Sequence, residues 1–182
     1  MDIVAPLAIV VQPTPDISHA VVKETLEEAS AIWDPASLAL QWRVEDPWNA
    51  PTDPFSVRVI LNDEVGTAFD TQRALGWITF SASGVPERVI HLSRSNAVWL
   101  LDATGYGPRP TKRERLLGRA LGRALAHELG HYLLASKNHT SSGLMRGRRS
   151  DDEFFSPVRV GFQPNRQERA ILAARVGLQP AD

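Results

Sequence analysis

In Ala126-His127-Glu128-Leu129-Gly130-His131, two histidines stand four residues apart and a glutamate directly follows the first. On an α-helix that spacing means about 40° of rotation and roughly 6 Å of rise, so both imidazoles leave one face and converge. Glu128 points about 100° round the helix from His127, beside that point of convergence rather than at it. Two neutral imidazoles suit a zinc ion, and an adjacent carboxylate can take a proton from a water the ion holds. That is the chemistry of a hydrolytic zinc site. Such a site takes a third protein ligand and leaves the fourth position open to water. His139 is the nearest candidate, eight residues beyond His131. A continued helix would carry it about 12 Å further along the axis, out of reach. The chain is therefore expected to leave the helix through Ser136-Lys137-Asn138, with Asn138 in the left-handed conformation, and to fold back. A carboxylate of Asp151, Asp152 or Glu153 is the competing third ligand; these residues read more simply as a solvated acidic turn.

A bare His-Glu-x-x-His also occurs by chance on exposed helices, so its surroundings decide what it means. Leu116, Leu117, Ala120, Leu121, Ala124 and Leu125 precede the motif, and Leu129, Leu133 and Leu134 lie within or just after it. A helix apolar over so much of its circumference belongs in a core, where unpaired histidines and a glutamate are costly. Gly118, Gly122, Ala126 and Gly130 recur every fourth residue and make a smooth ridge for another backbone. Each interior glycine costs roughly 1 kcal/mol against alanine, so close packing is the expected reason for them. Thr111 and Glu114 read as the capping box that starts this helix. Lys112, Arg113, Arg115, Arg119 and Arg123 read as a solvated basic face.

His127-Glu128-Leu129-Gly130-His131, the later His139 and the Gly143-Leu144-Met145 turn together resemble the active site of a metzincin-type zinc metallopeptidase. In that family a methionine in a tight turn forms an apolar floor beneath a three-histidine metal site. The resemblance implies that His127, His131 and His139 are zinc ligands, Glu128 the general base and Met145 the floor. The activity it implies is endopeptidase hydrolysis by a zinc-bound water. Its specific motif covers His127 to Met145. The family usually has glycine three residues after the second histidine and its third histidine six after. Here those positions hold Leu134 and Lys137, so the helix is expected to run about half a turn longer before His139 is reached. Five residues separate His139 from Met145, which makes the link short. The resemblance also implies an antiparallel edge strand that pairs with extended substrate, and Leu75–Phe80 is the candidate, with Gly76, Trp77 and Ile78 as substrate-binding residues. Arg146 and Tyr106 are conceivable second oxyanion donors, though each reads more simply as structural or surface.

These residues must be positioned by the rest of a 182-residue chain, enough for one domain with a sizeable core. With 43% hydrophobic and 23% charged residues, the composition is that of an ordinary globular protein. A net charge of −1 gives no electrostatic case for nucleic acid or an anionic membrane. The lack of cysteine excludes disulfides and thiolate zinc sites. No apolar run approaches a membrane span, and no signal peptide is visible at Met1-Asp2. The resemblance implies a peptide or protein substrate as partner, and a monomer is expected.

Leu7–Val11, Leu38–Val44, Phe55–Leu61, Leu75–Phe80 and Arg88–Leu92 read as strands. Asp46–Pro54 reads as a proline-rich loop, Ser83–Pro86 as a turn, and Gly105–Pro110 as a loop. Ser18 caps a helix carrying Val21, Val22, Thr25, Leu26, Ala29, Ile32 and Trp33. Ser95–Ala103 reads as a short helix, and a final helix after Pro164-Asn165 carries Ala170, Ile171, Ala174 and Val176. His19 is expected to be exposed and His91 to be packed in its strand. The order predicts an α+β fold: a twisted mixed sheet of about five strands on a backing helix and a long active-site helix. This too is similar to the metzincin catalytic domain. Two other classes stay open: a zinc-binding domain of the same fold that does not catalyse, and a zinc amidohydrolase acting on a different amide.

Overall fold

A computed structural model describes residues 7–48, 55–66, 73–105 and 110–176. Strand β1 (Leu7–Pro13) is followed by helix α1 (His19–Trp33), β2 (Leu40–Val44), β3 (Val57–Asn62), β4 (Gly76–Phe80) and β5 (Pro86–Ser93). Then come α2 (Arg94–Ala103), the long α3 (Pro110–Leu134), α4 (Asp151–Phe155) and α5 (Arg166–Val176). The strands form one mixed sheet in the order β2-β1-β3-β5-β4, with β4 alone antiparallel to its neighbour. The architecture is α+β, as the order of the sequence patterns predicts.

The sheet faces its helices with alternate residues. Val57, Val59 and Leu61 of β3 and Ile90 and Leu92 of β5 are fully buried, while the residues between them are less so. They join one core with Val21, Ala29 and Ile32 of α1 and Leu117, Leu121, Leu125 and Leu129 of α3. Each fully buried leucine contributes about 1.5–3 kcal/mol, so α3 is anchored along most of its length. The side-chain hydroxyl of Ser18 accepts from the Val21 amide at 3.3 Å and starts α1 where expected.

Two glycines bring α1 and α3 together. A Cβ on Gly122 would lie 2.6 Å from the Thr25 carbonyl oxygen, and one on Gly118 would strike the Glu24 Cβ and the Val21 carbonyl. The glycine ridge is therefore a backbone-to-backbone seam. Across it the Arg123 side chain, 1% exposed, donates from Nε to Glu28 Oε1 at 2.9 Å. Its Nη atoms donate to the carbonyls of Glu153, Ser156 and Val158. Arg123 thus leaves the basic face that the sequence suggested; it is a buried tie between α1, α3 and the α4 segment.

Other expectations are corrected locally. Helix α3 already runs from Pro110, so Thr111 lies inside it rather than capping it; proline suits a first helical position, having no N–H to leave unpaired. The acidic stretch after Ser150 is not a loop but α4, because Ser150 and Glu153 close a capping box. Helix α5 buries Glu168 and Leu172 instead of Ala170, Ile171 and Ala174, which face outward. Strand β3 starts at Val57, leaving Phe55 exposed. Asn49–Pro54, Tyr106 to Arg109 and Gly177 onward, with the side chain of Val176, lie outside the described residues. No described helix is long and apolar enough to cross a membrane.

Candidate metal centre

The last two turns of α3 present His127, Glu128 and His131, and the chain then reverses. Ala135, not Asn138, takes the left-handed conformation at φ 45°, and the Ser136 amide bonds back to the His131 carbonyl. The helix therefore ends three residues before the exit that Asn138 had suggested, which gives residues 136–139 room to return. His139 comes back to the helix face. Its Nε2 lies 3.2 Å from Nε2 of His127, and its ring centroid is 5.0 Å from that of His131. One ligand atom from each of His127, His131 and His139 lies within 4.8 Å of the others, a group that could hold a metal ion. Asp151, Asp152 and Glu153 do not join it. Glu153 is instead bonded to Arg146 and to the Ser150 cap. The same pairing occupies Arg146, while Tyr106 lies outside the described residues.

The far side of two rings settles which nitrogen faces inward. His127 Nδ1 lies 2.9 Å from the Leu144 carbonyl oxygen, and His131 Nδ1 lies 2.6 Å from that of Ser136. A carbonyl only accepts, so each Nδ1 carries the proton and each neutral ring keeps a bare lone pair on Nε2. Burial lowers the pKa of all three histidines, pulling His127 down to about 3 with the neighbouring His131 adding to the shift. They are thus neutral near pH 7, the form a metal requires. Four ligands around zinc at 2.0–2.1 Å stand about 3.3 Å apart, close to the 3.2 Å between His127 and His139. The donor set fits zinc.

Met145 is buried against Gly130, 1% exposed. Any Cβ on Gly130 would collide with its sulfur, so the glycine inside the two-histidine motif is there to let Met145 pass. Gly147 similarly leaves space for the His139 ring, whose Cβ and Cγ would sit 3.0 Å from an added Cβ. The turn carrying Leu144 and Met145 is closed by the Thr140 amide donating to the Met145 carbonyl at 2.8 Å, with Gly143 at φ 80°.

Two solved structures share this arrangement of elements. The chain resembles an archaemetzincin from Methanopyrus kandleri with a TM-score of 0.60 at 13% identity, over 94% of this chain and 96% of that one. It resembles a zinc-dependent peptidase from Methanocorpusculum labreanum with a TM-score of 0.57 at 11% identity, over 91% and 99% of the two chains. The fold is theirs. No protein-family model matches the chain, and no curated protein matches it in sequence.

Glu128 sits opposite β4, 8% exposed. Burial raises its pKa to about 8, opposed by a hydrogen bond from the Ile78 amide. Strand β4 is one edge of the sheet, with β2 at the other, as the resemblance implied. The Ser93 amide bonds to the Leu75 carbonyl, and alternation from that pair turns the backbone groups of Gly76 and Ile78 outward. Trp77 differs: its pair with His91 faces into the sheet, and its ring stacks on His91 at 5.0 Å on the face away from α3. Its side chain is therefore turned away from the histidine cluster, and His91 is packed rather than ligating. Phe80 instead reaches the cluster, edge-on to His131 at 6.3 Å with Lys137 Nζ over its other side.

Two residues absent from the sequence reading hold the Leu144 turn. Glu168 of α5 accepts from the amides of Leu144 and Met145, and Arg149 donates to the carbonyls of Gly143 and Leu144. A local signal existed for the first, since Asn165 and Glu168 have capping-box spacing. Nothing local marks Arg149, whose partners are brought to it by the turn.

Proposed function

We propose that this chain is a zinc-dependent endopeptidase of the metzincin type. His127, His131 and His139 are its metal ligands, Glu128 its general base and Met145 the floor of the site. The observation that carries the reading is the pair of Nδ1–carbonyl contacts at His127 and His131, which leave the Nε2 lone pair of each neutral ring bare, with His139 Nε2 3.2 Å from that of His127. The solved structures of the same fold, named as an archaemetzincin and a zinc-dependent peptidase, support it.

When bound, zinc would supply a Lewis acid that acidifies a water towards a pKa of about 7 and polarises a carbonyl. The chain's own groups would do the rest. Peptide would lie along β4 as an added strand, using the outward backbone groups of Gly76 and the Ile78 carbonyl. Phe80 and Lys137 would line one end of that path, beside His131. Glu128 would take the attacking water's proton on its carboxylate and pass it to the leaving amine. Its low exposure suits a carboxylate that must hold a proton briefly without losing it to solvent. The Leu144 and Ser136 carbonyls would keep the two rings turned inward throughout.

The test pairs zinc stoichiometry with turnover of a broad peptide library, on the wild type and on Glu128→Gln. We expect about one zinc per chain in both proteins. Turnover should fall by about 10²–10⁴-fold in the variant, as for loss of a general base. Equal turnover in the two would remove Glu128 from the mechanism. Zinc uptake without cleavage by either would favour a binding domain or an amidohydrolase of other substrates.

A further inference from the structure

A buried carboxylate outside the histidine cluster has no part in the scheme above. Glu168, on the first turn of α5, is 3% exposed. Its Oε2 accepts from the Asn165 amide at 2.7 Å, and the Glu168 amide donates to Asn165 Oδ1 at 2.9 Å. That reciprocal pair is a capping box, and it would be a full account of the residue if it stood in solvent. It does not. Oε2 also accepts from the Leu144 amide at 3.2 Å, and Oε1 accepts from the Met145 amide at 3.1 Å with the Thr140 hydroxyl equally near. Both oxygens are thus engaged by the turn, and Oε2 by the cap as well.

The turn is gripped from its other side by Arg149. Its Nη2 donates to the Gly143 carbonyl at 2.7 Å and to the Leu144 carbonyl at 3.1 Å, and its guanidinium lies 3.8 Å over the Phe162 ring. Leu144 is therefore held by its amide from a carboxylate and by its carbonyl from a guanidinium. That carbonyl is the acceptor for His127 Nδ1. Gly143, at φ 80°, has no room for a side chain because a Cβ would lie 2.8 Å from Glu168 Oε2 and from Asn165. The close approach of α5 to the turn is thus built into the backbone.

We infer that Glu168 is a positioning residue for the metal centre: by holding the Leu144 and Met145 amides it fixes the carbonyl that sets the tautomer and direction of His127. This rests on the zinc reading above for its consequence, but not for its geometry. Charge-assisted bonds to backbone amides are short and about twice as strong as neutral ones, so a carboxylate here stiffens the turn as an amide side chain would not. In Glu168→Gln one acceptor oxygen becomes an NH₂ donor pointed at a backbone N–H. The turn then loses one of its anchors while side-chain volume is conserved.

The measurements are zinc affinity by chelator competition, the visible spectrum of the cobalt-substituted protein, and the His127 tautomer in metal-free protein by ¹⁵N NMR. Glu168→Gln should bind zinc about 10–100-fold more weakly, the range for loss of an outer-shell partner. Its cobalt spectrum should change, and His127 should lose its uniform Nδ1–H form. Asn165→Ala, which removes the side-chain half of the cap and one bond to the Ser142 carbonyl but leaves the turn amides on Glu168, should lower thermal stability while keeping wild-type zinc affinity and spectrum. If Glu168→Gln does not fold, Glu168→Asp takes its place: it keeps the charge, is one methylene short of the turn, and should show the same weakening and spectral change. Wild-type affinity, spectrum and tautomer in the Glu168 variant overturn the proposal. So does an equal effect of Asn165→Ala, which would make the residue part of a general support for α5. If the wild type takes up neither zinc nor cobalt, the zinc reading fails, and the tautomer comparison alone still decides the role of Glu168.

Discussion

Helix α3 buries polar groups at two places, and treats them in opposite ways. At the upstream one, near the middle of the helix, Arg123 is enclosed, but its guanidinium donates to a carboxylate and three carbonyls, and its charge is answered by Glu28. Glu28 is itself shared with Arg159. At the downstream one the outer nitrogens of His127 and His131 are answered by carbonyls, but the inner nitrogens of His127 and His139 face each other. No carboxylate among the described residues joins that group. A buried charge whose partners are all supplied by the protein ties elements together. A group of half-answered acceptors could hold a cation. The glycines repeat the contrast: Gly122 admits the backbone of α1, whereas Gly130 admits one methionine side chain.

The largest expected effect breaks the upstream of the two. Glu28→Ala leaves the Arg123 charge buried without its partner and should lower unfolding free energy by about 3–5 kcal/mol, read from urea denaturation. Zinc affinity of the folded fraction should be unchanged; a parallel loss would mean the two places are one unit. The pair also gives a pH signature. Burial alone would raise the Glu28 pKa, but hydrogen bonds from Arg159 and Arg123 outweigh it and hold the group below its ordinary 4.5. A carboxylate lowered in the folded state contributes stability above about pH 4.5 and loses it as pH falls through the folded value. Wild type should therefore lose stability on acidification below that point, and Glu28→Ala should lose less.

His139→Ala breaks the downstream one alone. The residue is exposed, so stability of metal-free protein should shift by no more than about 0.5 kcal/mol. Zinc affinity should fall by more than the roughly 10–100-fold of an outer-shell loss, since a ligand is removed. Unchanged affinity by chelator competition would take His139 out of the site. The smallest effect is at the seam. Gly122→Ala gains about 1 kcal/mol of helix propensity but drives its Cβ into the Thr25 carbonyl at 2.6 Å. Overpacking of about 1–3 kcal/mol should outweigh the gain, giving a lower urea midpoint with zinc binding intact. A raised midpoint would show that α1 can retreat and that the seam is loose.

Much of this was legible in the chain because it is local. Period-two alternation in Val57–Asn62 and helical spacing after Ser18 follow from side-chain direction, which sequence order alone dictates. The four-residue step from His127 to His131 likewise fixes a shared helix face before any packing is known. What sequence could not decide is where a polar group finds its partner. Arg123 looked like its exposed neighbours Lys112 and Arg115, and only the arrival of Glu28 and the α4 segment, across 95 and about 30 residues, makes its burial tolerable. The end of α3 fell at Ala135 rather than Asn138 because closing contacts, not residue preference, set where the chain turned. The grip of Glu168 and Arg149 on Leu144 is of the same kind. Local sequence determines which groups share a face, through the fixed geometry of helix and strand. Tertiary structure decides which buried polar groups are answered, because the answering atoms come from distant segments and a buried donor or acceptor must find one.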